Sequence, residues 1–140
     1  VTGTPKPLKA WLKDFSSAVR NRDIASGKRL FDEEVVSFGT ACFRAENLDE
    51  LVSRQWDIVW PGTRDFDFHY DSIRSVVNGK TAAIITDWES KGANGRQRAV
   101  LRSGRATIVL QKSKAGWKAV HTHFSINPSQ HDPVLRKRES

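Results

Sequence analysis

Apolar residues recur at Leu8, Trp11, Leu12, Phe15 and Val19, in steps of three and four that put them on one face of a helix. Pro7 suits the opening turn, where its missing N–H would have had no partner in any case. The stripe carries two large rings, so this helix needs a second layer to cover it. A second short helix is predicted across Asp23 to Phe31. The run EEVVSFG then changes the pattern to β-branched and aromatic residues, predicting a strand that ends at Gly39. Asn47 followed by Glu50 has capping-box spacing and predicts a third helix from Leu48 to Trp56, stopped by Pro61 and Gly62.

Beyond that point the period becomes two. In RDFDFHYDSIRSVVNG, Asp65, Asp67, His69 and Asp71 alternate with Phe66, Phe68 and Tyr70, predicting one strand with a charged and an apolar side. Asn78-Gly79 predicts a tight hairpin into KTAAIITDWES. The loop KGANG leads to a long strand around Arg98 to Lys112, and SKAG turns the chain into a last strand, Trp117 to Ile126. The predicted order is helix, helix, strand, helix, then four strands joined mostly by short turns. This is an α+β arrangement in which helices cover one face of an antiparallel sheet, with room for a cavity where the sheet curves.

The length of 140 residues and the 38% hydrophobic content suit one core. The single cysteine, Cys42, cannot form an internal disulfide, and its surroundings, TACFRAE, lack a nucleophile setting. The first residues lack the apolar core of a signal peptide, and no apolar run reaches the ~18 residues of a membrane span. The expectation is a cytoplasmic protein without a membrane partner. The net charge of +7 sits in the second half, where Lys91 to Lys118 holds eight basic residues and no acidic ones. Such a segment attracts anions, yet alternating strands also place such charges on a solvated face, so nucleic acid is not the expected partner. No G-x-G-x-x-G, P-loop, zinc-finger or helix-turn-helix pattern is present, and no cofactor is expected.

The chemistry-bearing residues lie on the predicted strands. Simple alternation puts Trp117, Ala119, His121, His123 and Ser125 on one face of the last strand, with the two histidines roughly 7 Å apart. A metal would need a third ligand folded over them, from His69 or Asp87, so no metal is expected. As acid–base groups His121 and His123 suit proton transfer near neutral pH, with Asp67 or Asp87 as an orienting group or a carboxylate base. A partly buried histidine with a backbone partner is the structural alternative. On the preceding strand Arg105 and Thr107 share a mixed face that is a candidate cavity lining, where a guanidinium would suit a carboxylate or enolate oxygen. An Arg105–Asp87 ion pair is the competing use. Trp56, Trp60 and Trp88 offer flat surfaces for an aromatic ligand, or simply fill the core.

The segment GRATIVLQKSKAGWKAVHTHFSINP, Gly104 to Pro128, resembles the closing hairpin of SnoaL-like proteins in the nuclear transport factor 2-like superfamily. The points of likeness are Arg105-x-Thr107, the turn into Gly116-Trp117, and His121-x-His123-x-Ser125. The same hairpin is similar to that of the association domain of calmodulin-dependent protein kinase II, and VVSFGT followed by the helix at Asn47 to Trp56 fits the earlier order. The resemblance implies a cone-shaped, strongly curved antiparallel sheet packed with three helices from the N-terminal half, paired as a homodimer through sheet faces. It implies a domain over residues 7–128, between an N-terminal segment 1–6 and a basic tail 129–140. It makes Arg105, His121 and His123 candidate pocket residues.

Function stays open among three readings, because relatives with this fold include both enzymes and assembly domains. The first is a small-molecule-binding, oligomer-forming domain that recognises a carboxylate or aromatic compound. The second is an isomerase, dehydratase or cyclase with Asp and His as acid and base and Arg stabilising an oxyanion. A nucleic-acid-binding module is the third. Tyr70 is the only tyrosine, and the ketosteroid-isomerase pattern of tyrosine and acid is not recognisable.

Overall fold

The computed structural model describes residues 3–93 and 99–128. Helix α1 (Lys6–Asn21) buries the stripe read from the sequence, and short α2 (Ile24–Lys28) follows with Asp23 as its cap. Strand β1 (Phe31–Phe38) comes next. The third helical segment begins with α3 (Leu48–Leu51), passes through a π-helical turn at Val52–Trp56 and ends in α4 (Asp57–Val59) and a tight turn at Trp60–Gly62. Its start is capped as predicted: Glu50 N–H donates to Asn47 Oδ1 at 2.9 Å, while Glu46 N–H donates to Glu50 Oε1 at 2.9 Å.

The remaining strands are β2 (Thr63–Phe68), β3 (Arg74–Asn78), β4 (Thr81–Ala93), β5 (Ala99–Ser113) and β6 (Gly116–Ile126). The single strand predicted between Arg64 and Asn78 is therefore two. A short helical turn at Tyr70–Ser72 interrupts it, fixed by His69 N–H donating to Asp87 O at 2.9 Å and Ser72 N–H donating to His69 O at 3.2 Å. Both pieces pair antiparallel with β4.

Two parts of the expected sheet are corrected by the topology. The sheet is mixed, because β1 runs parallel to β6, with Val36 opposite His121 and Phe38 opposite His123. It is also open: the order is β1-β6-β5-β4-β2, with β3 beside β4, and the edge strands β1 and β2 do not pair. The strongly curved cone does not form. The connection between the two edges is the α3–α4 segment, whose Trp56 and Trp60 occupy the core. The β1–β6, β2–β4 and β5–β6 pairings each carry an irregularity in register.

The core lies between the helices and one sheet face. Leu8 and Leu12 of α1, Val35 of β1, Ile84 of β4 and Ile108 and Leu110 of β5 are fully buried. Trp11 joins the layers twice, by ring contact with Phe31 and by donating from Nε1 to Leu30 O at 3.0 Å. No helix among the described residues is long and apolar enough to cross a membrane. Residues 1–2, 94–98 and 129–140 lie outside the described residues, and with them part of the predicted KGANG loop, the start of the strand predicted from Arg98 and the basic tail.

Candidate functional site

Strand alternation decides which side chains meet the helices. On β4 the inward set is Ala82, Ile84, Thr86, Trp88 and Ser90, and on β5 it is Gly104, Ala106, Ile108 and Leu110. Where this face reaches the ends of β4 and β5, it leaves a cavity of about 60 Å³ for the centres of water molecules. Its body is aromatic: Phe15 from α1, Phe31 from β1, Trp56 and Trp60 from the third helical segment, Phe66 from β2 and Phe124 from β6. Trp88 closes the β4 side. The Trp56 and Trp60 indoles stack with centroids 4.6 Å apart and planes 17° apart.

Polar atoms gather toward one end. Arg102 and Ser90 stand opposite each other in register, and Thr63 begins β2 beside Gly92 at the same end of the sheet. Across the opening, Gln55 holds the loop after β1. Its Oε1 accepts from the backbone of Ala41 at 2.8 Å and Cys42 at 3.0 Å, and its Nε2 donates to Thr40 Oγ1 at 3.0 Å. Gly39 makes this fit possible, since a Cβ there would sit 2.5 Å from Gln55 Oε1. The residues of the π-helical turn thus supply both a wall ring, Trp56, and a loop fastener, Gln55. Deeper in, Ser37 and Thr122 share a buried hydroxyl–hydroxyl bond of 2.8 Å.

Trp56, Trp60 and Trp88 line this cavity, whereas the remaining candidates lie on the opposite face of the sheet or at its β2 edge. Arg105 and Thr107 are exposed. Arg105 faces Asp87 in register, but Asp87 binds elsewhere, accepting from His69 Nδ1 at 2.8 Å and from Ser72 Oγ. His69 is raised above the usual imidazole value chiefly by that bond to Asp87, against the opposing effect of burial. Asp87 is lowered, first by Ser72 and then by His69. Asp67 accepts from the Tyr70 hydroxyl at 2.8 Å, and burial together with that bond pushes the phenol up to about 12. His121 Nδ1 donates to Val36 O at 2.6 Å, and Phe38 meets both His121 and His123 edge-on. The structure therefore brings His69 and Asp87 together, and keeps Asp67, His121 and His123 apart from them and from the cavity.

The shift of the histidines has a local cause. The β5–β6 register slips between Val109 and Leu110, so Ala119 is buried while His123, on the same side by simple counting, is exposed. Arg102, Gln55 and Phe124 were not singled out from the sequence, although extending the apolar series Leu110, Ile108, Ala106 backward reaches Gly104 and then Arg102. Among the described residues, no group of three or more His, Cys, Asp or Glu is placed to hold a metal.

The SnoaL-like domain family matches residues 8–128. No curated protein matches the chain. A nuclear transport factor 2-like superfamily protein from Salmonella enterica has 17% identity and a TM-score of 0.76, over 90% of this chain and 92% of that one. A protein named for a calcium/calmodulin dependent protein kinase II association domain, from Xanthomonas campestris, has 12% identity and a TM-score of 0.78, over 91% of each chain. A ketosteroid isomerase-like protein from Erwinia carotovora has 18% identity and a TM-score of 0.73, over 86% of this chain and 94% of that one. At these identities the structures speak for the fold alone. With helices on one face of the mixed sheet, a polar and aromatic pocket between the layers, and a family match spanning nearly the whole described chain, the protein belongs to the SnoaL-like family of the nuclear transport factor 2-like superfamily.

Proposed function

We propose that this chain is a small-molecule-binding domain that recognises an aromatic compound bearing a carboxylate. The observation that carries the reading is the composition of the cavity wall: a cluster of phenylalanine and tryptophan rings beside aliphatic and uncharged polar side chains, with Arg102 as the one charged residue among the described ones. Aromatic walls favour a flat apolar body, and a guanidinium offers two parallel donors to a carboxylate. An acid–base enzyme working in this cavity would need an Asp, Glu, His, Lys or Tyr beside the ligand, and none lines it among the described residues. Binding without transformation is the reading these residues support best.

Tryptophan emission tests it directly, because three indoles face the cavity. Titration with a panel of small aromatic acids and neutral aromatic compounds is expected to give saturable quenching. A panel without a single saturable response would count against the proposal.

The domain is also proposed to pair with a second copy through the outer sheet face. That face presents Ile85 at 50%, Val76 at 62% and Leu101 at 66% exposure, an apolar surface that pairing would cover. The Xanthomonas relative, named for an association domain, adds support by analogy. Sedimentation is expected to give a dimer for the native chain and a monomer for Ile85→Glu. A native chain that stays monomeric at high micromolar concentration would remove this part of the reading.

A further inference from the structure

Resting on the binding reading, we infer that the loop after β1 is a gate over the cavity, latched shut by the Gln55 side chain, and that an aromatic ligand enters and stays only with this gate lifted. The cavity of about 60 Å³ is under half of the ~150 Å³ that takes benzene. It has room for water, and an aromatic ring needs part of the wall to withdraw. Phe31, Trp56, Trp60, Phe66 and Trp88 are buried rings carried by strands and helical segments, and moving them breaks core packing. The wall also includes Gly39 and Thr40, which belong to a loop.

That loop is attached in another way. Its ends are clamped where Ser37 N–H donates to Ala45 O at 3.0 Å and Ala45 N–H donates to Ser37 O at 2.8 Å. Between the clamps, Gly39 N–H donates to Cys42 O at 2.9 Å, which folds Gly39 to Cys42 into a turn of its own. Among the described residues, the hydrogen bonds from this turn to the rest of the chain all end on one side chain. The amides of Ala41 and Cys42 donate to Gln55 Oε1, and Gln55 Nε2 donates to Thr40 Oγ1. Packing adds little, since Cys42 is the one buried side chain of the loop while Ala41, Phe43 and Arg44 are exposed. Gln55 itself sits in the π-helical turn Val52–Trp56, a helix irregularity frequent at functional sites.

Lifting the turn exchanges the three Gln55 bonds for bonds to water. Such an exchange is nearly even for each bond, so the open form is a minor, accessible state of the folded protein, reached without unfolding the core. A ring in the cavity then keeps the turn from closing, because the closed space does not hold it.

Cys42 reports the motion, being the chain's single cysteine and 5% exposed. The test is the rate at which methyl methanethiosulfonate modifies its thiol in the full chain, followed by mass spectrometry across urea concentrations below the unfolding transition. Modification is expected to outrun global unfolding and to depend little on urea, as local opening does. Gln55→Leu removes all three bonds. Gly39→Ala leaves Gln55 in place but sets a Cβ 2.5 Å from its Oε1. Each is expected to speed modification by about 10-fold or more, beyond what any fall in its urea midpoint explains. Saturating benzoate, with binding followed separately by tryptophan emission, is expected to speed modification of the native chain severalfold. A native rate that tracks global unfolding would overturn the gate, as would variants whose gain is accounted for by lost global stability. Benzoate that binds and leaves modification unchanged or slower would overturn it too. Silence from benzoate and the wider aromatic panel defeats the binding reading instead, while the modification rates still decide whether the turn opens.

Discussion

Phe15→Ala is expected to destabilise the fold by about 3–5 kcal/mol, a large part of the total stability of a domain this size. Phe15 is 4% exposed and is the ring where the layers of the molecule meet. From α1 it stacks on Trp11 at 5.5 Å, reaches Phe31 of β1 at 5.6 Å and meets Trp56 and Trp60 of the third helical segment at 6.0 Å. It also touches Phe66 and Phe68 of β2 and Phe124 of β6. Truncation removes the shared partner of all these rings, and close-packed neighbours relax only partly into the space left behind. Urea unfolding should show the midpoint fall with little change in slope. Phe43→Ala is the control, since that ring is 94% exposed and its loss should change stability by no more than about 0.5 kcal/mol. A Phe15→Ala protein within 1 kcal/mol of the native chain, as a rough threshold, would mean that the aromatic layer is not a connected unit.

Legibility in the sequence tracked how local each interaction is. The stripe of α1, the Asn47–Glu50 capping pair and the Asn78-Gly79 turn are all decided within a few residues, and each is found where the pattern predicts it. Gly79 takes the positive φ of 62° that this turn needs. By contrast, the parallel pairing of β1 with β6 joins positions such as Ser37 and Thr122, 85 residues apart, and no short-range pattern encodes it. The break at Tyr70–Ser72 was hidden because the alternation of charge and aromatic ring runs straight through it. Its cause is Asp87, a partner on another strand. The open sheet is of the same kind: closure depends on whether the edges meet, and the order of strands along the chain leaves that undecided.

The site divides the same way. Read from the sequence, the indoles are either a flat surface for a ligand or core filling; Trp56, Trp60 and Trp88 line the cavity and are also buried in the core. Which face the cavity occupies was read from the polar series Arg105 and Thr107, where the apolar series on the same strand was the better guide. Burial favours the face that carries Ala106, Ile108 and Leu110, and a cavity under helices has to open on that face. Its cation is therefore the residue in phase with those three, Arg102. For His121 and His123 even correct parity would have failed, because the irregularity after Val109 shifts the phase partway along β6. Gln55 carried no signal, since its importance lies in accepting from two loop amides that are distant from it in sequence.

Gly104→Ala is expected to cost about 3 kcal/mol or more, despite adding one methyl group to a β-strand. Gly104 lies between Trp88 on β4 and Ile126 on β6, and the indole of Trp88 crosses the strand there, its Nε1 donating to Arg105 O at 3.3 Å. An added Cβ would lie 1.9 Å from Ser125 O and 2.5 Å from the indole. The second contact could be relieved by swinging Trp88 into the cavity, which would fill the proposed binding space. The first has no such release, because the oxygen belongs to the backbone of β6 and retreats only if the β5–β6 ladder opens. The double variant Gly104→Ala with Trp88→Leu separates the two contributions. Relief of the indole contact should give a favourable coupling of about 1 kcal/mol, with the remaining loss owed to the ladder. Denaturant unfolding of the four proteins in the cycle measures both. Full recovery by Trp88→Leu would place all of the strain on the indole, and a Gly104→Ala protein as stable as the native chain would show that no close approach exists at this point.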